Sequence, residues 1–330
     1  MFNFFTDKRW WHWSILGTAT IVFGIWFQVY LDSRINLWAR DFYDTLQKAV
    51  SDPGSVTSGE LYSFLLRFGA IAGIWILTAV LRDFLTAHWT FRWRQSMTEV
   101  FHEHYASMAD VEGCSQRVQE DTLKFARLME SLGAGLIHSV MTILVFLPML
   151  ATLSKQVVIY PLVGEIPDGL VWLAFLAAFL GTGFLMWMGR HLPGIEFDIQ
   201  REEAAYRKHL VLFEGDVEID KEKMDFANQV KLLFDRVRSI HFTAYLAYAW
   251  FGVWKWSYLQ FMVIVPYIAL TPSIVAGMLT FGMIRQITDA FQKVESSLQY
   301  IIRSWGSIVE LISVWKRLKA FNQVLKNRNK

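Results

Sequence analysis

The sequence predicts an all-α integral membrane protein with six transmembrane helices and long cytoplasmic extensions. Of its 330 residues, 54% are hydrophobic and only 19% are charged, whereas soluble domains carry about a quarter charged residues. Several uncharged runs reach the roughly 18 residues that a helix needs to cross a bilayer. Lysine and arginine are also distributed unevenly among the connecting segments, which is typical of a multi-pass membrane protein.

Six segments are predicted to span the membrane. The first, third and fourth are long uncharged runs. The first run begins with a tryptophan cluster, Trp10, Trp11 and Trp13, which is typical of an anchor at the membrane interface. The second has a shorter uncharged core but is flanked by arginines that could snorkel. The fifth and sixth share the region Ser239–Ile284, whose only formal charge is Lys255. The predicted spans are 13–31, 64–87, 131–154, 169–189, 242–270 and 273–303, within one domain covering 1–330.

The basic residues predict that both termini are cytoplasmic. Positive-inside topology assigns the segments richer in lysine and arginine to the cytoplasm. Four basic residues fall in the predicted outer connections 32–63, 155–168 and 271–272. By contrast, 22 fall in the N-terminus, 88–130, 190–239 and the tail from Lys316.

The last predicted span has one polar and one apolar face, with helical spacing. The polar residues are Arg285, Asp289, Gln292, Ser296, Gln299 and Arg303. The segment is either a cytoplasmic amphipathic helix packed on its neighbours or a long sixth span whose polar face lines a water-filled cavity. Asp289 is four residues from both Arg285 and Lys293 and could pair with either.

Long motifs with polar residues run through the chain almost from end to end. They are Arg9–Ala19, Phe42–Ala49, Phe91–Glu99, Glu112–Ala126, Phe146–Ser154, Gly164–Leu170, Leu192–Val211, Pro272–Gly277 and Ser307–Phe321. In this order they resemble the SbmA/BacA family of bacterial peptide-antibiotic transporters, because chance similarity between apolar helices would not reproduce the polar motifs.

The resemblance implies a homodimer in the bacterial inner membrane, with a fold similar to the transmembrane domain of ABC exporters. It also implies proton-driven import of peptides, including antimicrobial peptides, and contact with membrane lipid. Members of that family usually carry a further helix ahead of the Arg9–Ala19 motif. A shorter branch or a truncated start is therefore expected for this chain.

Other classes of function have weaker support. The sequence contains no G-x-x-x-x-G-K-[ST] nucleotide-binding pattern, so an ABC-like half-transporter needs another energy source or a separate ATPase subunit. A membrane scaffold or receptor is a third alternative. No catalytic residue, cofactor or nucleic-acid partner is predicted. No metal site is predicted either, because His102 and His104 lack the spacing that places two ligands on one helix face.

Glu130 is the leading candidate for proton coupling. It lies one residue before the third apolar run, where partial desolvation is expected to raise its pKa. The alternative is a helix-end ion pair with Arg127. Glu120 is expected to pair with Lys124 four residues on. Three further acidic candidates lie in segments of this sequence that match the family motifs. They are Glu196, Glu203 and Glu310. These carboxylates could act as ordinary ion-pair partners or attract cationic peptides.

Overall fold

The computed structural model describes residues 3–105, 114–157, 166–213 and 220–328. Every regular element in these ranges is helical. Residues 158–165 of the predicted connection 155–168 lie outside the described residues. The first two residues of the motif Glu112–Ala126 also lie outside them. The α-helices are α1 (Asn3–Thr6), α2 (Thr18–Ser51), α3 (Ser58–Glu103), α4 (Cys114–Gln116), α5 (Thr122–Ser154), α6 (Gly169–Gly189), α7 (Leu192–Phe213), α8 (Asp220–Val275), α9 (Phe281–Leu298), α10 (Tyr300–Arg303) and α11 (Trp305–Arg328). A π-helical segment precedes α2 (His12–Gly17) and another precedes α5 (Arg117–Asp121).

Five of the described helical segments are long and apolar enough to cross a membrane. They are His12–Ser51, Ser58–Glu103, Cys114–Ser154, Gly169–Gly189 and Asn228–Val275. The first five predicted spans each lie inside one of them. The segment 273–303 contains the end of α8, a turn and the charged helix α9.

The predicted connection 32–63 is wrong for its first part, because α2 continues as helix to Ser51. No proline or glycine occurs between Gly24 and Pro53 to stop the helix. The chain turns at Pro53–Gly54, where Gly54 takes a positive φ of 93° that suits glycine. Helix α3 then begins behind Thr57, whose hydroxyl accepts a hydrogen bond from the Glu60 amide.

Contacts divide the chain into two compact units. The first comprises Met1–Ala178 and Pro266–Lys330, and its core is rich in aromatic rings. Phe4 is fully buried there, and its ring lies 5.5 Å from that of Trp89 and 6.1 Å from that of Trp93. Trp10 is only 8% exposed, so it is a core residue rather than the interfacial anchor that the sequence predicts. The N-terminal segment therefore belongs to the packed core of this unit.

The start of α9 is fixed to α2 in the first unit. The Phe281 amide donates to Gln47 Oε1 at 2.9 Å, and the Gly282 amide donates to Asp44 Oδ1 at 2.8 Å. These side chains satisfy amides that have no partner inside the helix, and Asp44 places negative charge at the positive end of the helix dipole. A Cβ at Gly282 would overlap the Arg40 carbonyl, so the close approach requires glycine.

The second unit, Phe179–Val265, contains the end of α6, all of α7 and most of α8. Polar contacts join α7 to α8: Glu203 lies 3.2 Å from His241, and the Tyr248 hydroxyl donates to Glu196 at 3.1 Å. Many large apolar side chains of this unit are exposed, among them Leu246 and Trp256. Such a surface is typical of a segment that faces lipid or another apolar partner.

Candidate functional site

Helix α9 is amphipathic, as the sequence predicts. Ile287, Phe291 and Val294 are fully buried, because they lie on the face that packs against the rest of the first unit. On the polar face Arg285 is exposed and pairs with Asp289 at 3.1 Å. The predicted pairing of Asp289 with Arg285 is therefore confirmed.

The remaining polar residues of this face differ in exposure. Gln292 and Arg303 are exposed, Ser296 is half-buried, and Gln299 is only 4% exposed. Arg303 donates two hydrogen bonds to the Gln299 side-chain oxygen, at 2.9 and 3.1 Å, and Gln299 donates to Glu295. The face thus changes from exposed charge to a buried hydrogen-bonded group as α9 approaches α10.

Glu130 is half-buried within α5. In the described part of the chain no cationic group lies within ion-pair distance of it, so the alternative pairing with Arg127 does not form. The charges that act on Glu130 are those of Arg82 and Asp83 on α3. A carboxylate in this setting has neither full hydration nor a direct counter-charge.

Arg82 connects α3 to α2. Its guanidinium pairs with Asp83 at 2.8 Å and also donates to Gln28 on α2. Gln28 is only 3% exposed. The charge of Arg82 also acts on Glu130 of α5, without a direct contact among the described residues.

An ion pair between α2 and α9 is not predicted from the sequence. Lys293 Nζ lies 2.6 Å from Asp32 Oδ2, and the Trp75 indole N–H donates to Asp32 Oδ1 at 3.1 Å. The Asp32 side chain is 17% exposed and that of Lys293 is 42% exposed. Lys293 therefore pairs across helices with Asp32 instead of with Asp289.

A second unpredicted cluster, which we call the latch, consists of Asp121, Arg117 and Arg317. Arg317 on α11 donates to both Asp121 oxygens, at 2.7 and 3.0 Å, and Arg117 reaches Asp121 Oδ2 at 3.4 Å. Asp121 is 1% exposed. Its hydrogen bonds raise the pKa of the Arg317 guanidinium above its ordinary value. The latch fixes α11 against the segment that leads into α5.

The other acidic candidates lie in more ordinary surroundings. Glu120 pairs with Lys124 at 2.7 Å, which confirms the predicted i,i+4 contact, and both side chains are nearly half exposed. Glu310 on α11 is exposed. Glu196 and Glu203 make the α7–α8 contacts described above. These four residues do not share the partly desolvated, unpaired setting of Glu130.

Comparison with known proteins decides the family. The model of the SbmA/BacA-like family matches residues 7–326 of this chain. The chain belongs to the SbmA/BacA-like family. The resemblance read from the sequence motifs is therefore confirmed over nearly the whole length.

Similar proteins carry ABC-transporter names. The chain is 25% identical to the inner membrane ABC transporter ATP-binding protein YddA of Escherichia coli, over 89% of this chain and 54% of YddA. It is 26% identical to the chloroplastic ABC transporter D family member 2 of Arabidopsis thaliana, over 88% of this chain and 40% of that protein. An uncharacterized ABC transporter ATP-binding protein of Synechocystis is 24% identical, over 97% of this chain and 47% of that protein.

The chain thus spans about half the length of these relatives. It belongs to the SbmA/BacA-like family, is similar to proteins named as ABC transporters, and has five described helices long and apolar enough to cross a membrane.

The sequence predicts Glu130 and the α9 face as candidates, and these stay predictions. It does not predict the contacts of Asp32 with Lys293 and of Asp121 with Arg317. Asp32 was assigned to a connection because it follows the first apolar run directly. One pattern in the sequence indicates that Asp32 belongs to the helix: it follows Gln28 by four residues, which places two polar groups on one helix face. No comparable signal pairs Asp121 with Arg317, which are 196 positions apart.

Proposed function

We propose that this chain imports peptides across the bacterial inner membrane, driven by the proton gradient, by alternating access of a homodimer. In this proposal the chain crosses the membrane six times, with 273–303 as the sixth span, long cytoplasmic extensions and both termini in the cytoplasm. The peptide cargo and the dimer rest on the family resemblance. The proton coupling rests on the setting of Glu130.

The observation that carries the coupling proposal is the half-buried carboxylate of Glu130 at the start of an apolar run, which has no ion-pair partner among the described residues. Such a group prefers the neutral form when its surroundings exclude water and the charged form when water enters. A change in water access during alternating access therefore changes its proton occupancy. This links proton movement to the conformational change.

The remaining candidates have supporting roles in this proposal. Glu120, Glu196, Glu203 and Glu310 are proposed as further acidic groups along the proton and peptide path. The α9 face is proposed to line a water-filled cavity with Arg285, Asp289, Gln292, Ser296, Gln299 and Arg303. Exposed carboxylates along such a path would attract cationic peptides.

The decisive experiment measures uptake of a labelled cationic peptide into proteoliposomes with an imposed pH gradient and no ATP. We expect uptake that a protonophore abolishes. Glu130→Gln should reduce uptake to the level of empty liposomes while the protein still purifies as a dimer. Glu202→Gln is the matched control, since Glu202 is paired with Arg201 at 3.3 Å and is not one of the proposed acidic groups. Normal uptake by Glu130→Gln would refute the coupling role of this residue.

A second candidate is the transmembrane subunit of an ATP-driven transporter with a separate ATPase subunit. It is favoured by the names of two similar proteins, which are ABC transporter ATP-binding proteins of which this chain matches 54% and 47%. This alternative predicts uptake that requires ATP, is blocked by vanadate and persists with protonophore. It also predicts that a nucleotide-binding protein purifies with the chain.

A further inference from the structure

A groove of about 680 Å³ lies along one face of the candidate spanning helix His12–Ser51. On that helix it extends from Ser14 to Trp26, and Phe5 of α1 and Met141 of α5 complete its walls. None of its described lining residues is charged. Its volume falls within the roughly 300–1,000 Å³ of sites that hold small molecules. The groove is therefore large enough for a ligand, and it shares no residue with the candidate site described above.

The Ser14 side chain lines the groove and has an unsatisfied hydroxyl. Ser14 is only 2% exposed, and its Oγ has no hydrogen-bond partner in the described part of the chain. Thr18, one turn later, differs: its hydroxyl donates to the Ser14 carbonyl at 2.5 Å and accepts from the Trp89 indole at 3.0 Å. Leaving a buried hydroxyl without a partner costs free energy. The Ser14 hydroxyl is therefore suited to donate a hydrogen bond to a ligand in the groove.

The length of the groove matches one leaflet of a bilayer. Ser14 and Trp26 are 12 residues apart, which corresponds to about 18 Å along a helix. The hydrocarbon core of a bilayer is about 30 Å thick, so one leaflet contributes about 15 Å. Trp11, three residues before Ser14, is exposed, and exposed tryptophans are typical of the membrane interface. The groove thus has the length and the position of one acyl chain.

The walls of the groove favour a hydrocarbon chain over a peptide. A peptide carries a backbone donor and acceptor at almost every residue, and each needs a partner when it is buried. The described lining side chains offer only the Ser14 and Thr18 hydroxyls and the Trp26 indole as hydrogen-bonding groups. An acyl chain needs no hydrogen bonds along its length, and its ester group offers an acceptor at one end.

The segment ahead of the groove offers positive charge to a lipid phosphate. Lys8 and Arg9 are both exposed and lie six and five residues before Ser14. Arg9 pairs with Asp7 at 2.8 Å, whereas Lys8 makes no ion pair with another described residue. Lysine ammonium groups commonly bind phosphate. An available cation and the polar end of the groove therefore lie on the same short segment.

We propose that this groove binds one acyl chain of a phospholipid from the leaflet that borders the N-terminal segment. The Ser14 hydroxyl donates to an ester oxygen of that lipid, and Lys8 attracts its phosphate. The lipid is a ligand at a defined place on the first candidate span, unlike the lipids that exchange along any apolar face. This inference goes beyond the proposed function and does not depend on transport.

Photo-crosslinking tests the lipid site. The probe is a phosphatidylglycerol with a diazirine in one acyl chain, added in increasing amounts to delipidated protein in detergent, and the labelled residues are identified by mass spectrometry. We expect labelling that saturates and is concentrated between Ser14 and Trp26 and at Met141. Labelling that does not saturate and is equal in the groove and along α3 would overturn the proposal.

A diacylglycerol with the same photoreactive chain tests the role of the phosphate. It should label the groove less than phosphatidylglycerol does, because it offers no negative charge to Lys8. Equal labelling by the two lipids would refute the contribution of Lys8.

Two variants block the site by different means. Ala19 lines the groove, so Ala19→Phe should fill it and lower labelling there about tenfold, within the usual cost of overfilling a packed space. Ala70→Phe is the matched control, since it makes the same change at an exposed position of the candidate span Ser58–Glu103. It should retain full labelling. Ser14→Ala adds no bulk and should weaken labelling about fivefold, the usual effect of one hydrogen bond. Unchanged labelling in both Ala19→Phe and Ser14→Ala would refute the site.

The oligomeric state separates a lipid from a second copy of this chain. We expect Ala19→Phe and Ala70→Phe to have the same mass by light scattering as the unsubstituted protein. Dissociation of Ala19→Phe alone, with no labelling of the groove in the unsubstituted protein, would make the groove a contact between copies and overturn the proposal. Gradient-driven peptide uptake without groove labelling would refute the lipid site and leave the proposed function standing. Groove labelling without gradient-driven uptake would do the reverse.

Discussion

The segment leading into α5 and the first turns of α5 itself hold two carboxylates in opposite situations. Asp121 is almost completely buried and receives hydrogen bonds from two arginines of the latch. Glu130, nine residues later, is half-buried and has no ion-pair partner among the described residues. Asp121 is tied to α11 by these hydrogen bonds, whereas no ion pair in the described part of the chain ties Glu130 to another helix. The difference separates a structural acid from a candidate for proton transfer.

Asp121→Ala should have the largest effect on stability. Removing the carboxylate leaves two arginines without their shared partner, and breaking a buried pair costs about 3–5 kcal/mol. The lower end of that range is expected, since the Arg317 side chain is 39% exposed and can be rehydrated. Reversible unfolding in mixed micelles, followed by tryptophan fluorescence, measures the change. Unaltered stability would show that Asp121 is not a structural acid.

Glu130→Gln should show the converse behaviour. No ion pair is lost, so the free energy of unfolding should change by less than about 0.5 kcal/mol. Gradient-driven peptide uptake, by contrast, should fall by at least about tenfold. Measuring both quantities on one preparation sharpens the comparison with Asp121. A large loss of stability in Glu130→Gln would mean that Glu130, like Asp121, has a structural role.

Arg317→Lys tests the geometry of the latch. The guanidinium reaches both oxygens of Asp121, and a lysine ammonium cannot reproduce this planar two-point contact. We expect a loss of about 1 kcal/mol, the usual value of one hydrogen bond. Arg317→Ala provides the reference, because it removes both contacts. A stability of Arg317→Lys equal to that of the unsubstituted protein would mean that the second contact contributes nothing.

Glu120→Gln should have the smallest effect. Its pair with Lys124 is nearly half exposed on both sides, and exposed i,i+4 pairs contribute about 0.3–0.5 kcal/mol. Added salt should reduce even this difference, since it screens exposed charges. A loss of peptide uptake in this variant would mean that Glu120, as well as Glu130, takes part in proton transfer.

More of the fold than of the candidate site could be predicted from the sequence. Apolar run length identified five helices, because the requirement for internal hydrogen bonding in lipid makes length a direct physical signal. Helix ends were predicted less well: α2 continues through Asp32 to Ser51, since charge alone does not stop a helix that lacks proline and glycine. The burial of Trp10 likewise depends on tertiary packing, including the contact with Phe4 of α1, which periodicity does not reveal.

The site was predictable only where its contacts are local. The pairs Glu120–Lys124 and Arg285–Asp289 follow from four-residue spacing and are present. The contacts of Asp32 with Lys293 and of Asp121 with Arg317 join residues 261 and 196 positions apart. Nothing in one sequence links such distant charges, because their meeting depends on how the helices assemble.

The attachment of the α9 amides to Gln47 and Asp44 makes that helix a lever with a fixed end. Lys293 is 11 residues beyond Gly282, which at 1.5 Å per residue places it about 16 Å from the pivot. Over that arm a tilt of about 10° moves the far end by roughly 3 Å, enough to carry an ammonium group out of ion-pair distance.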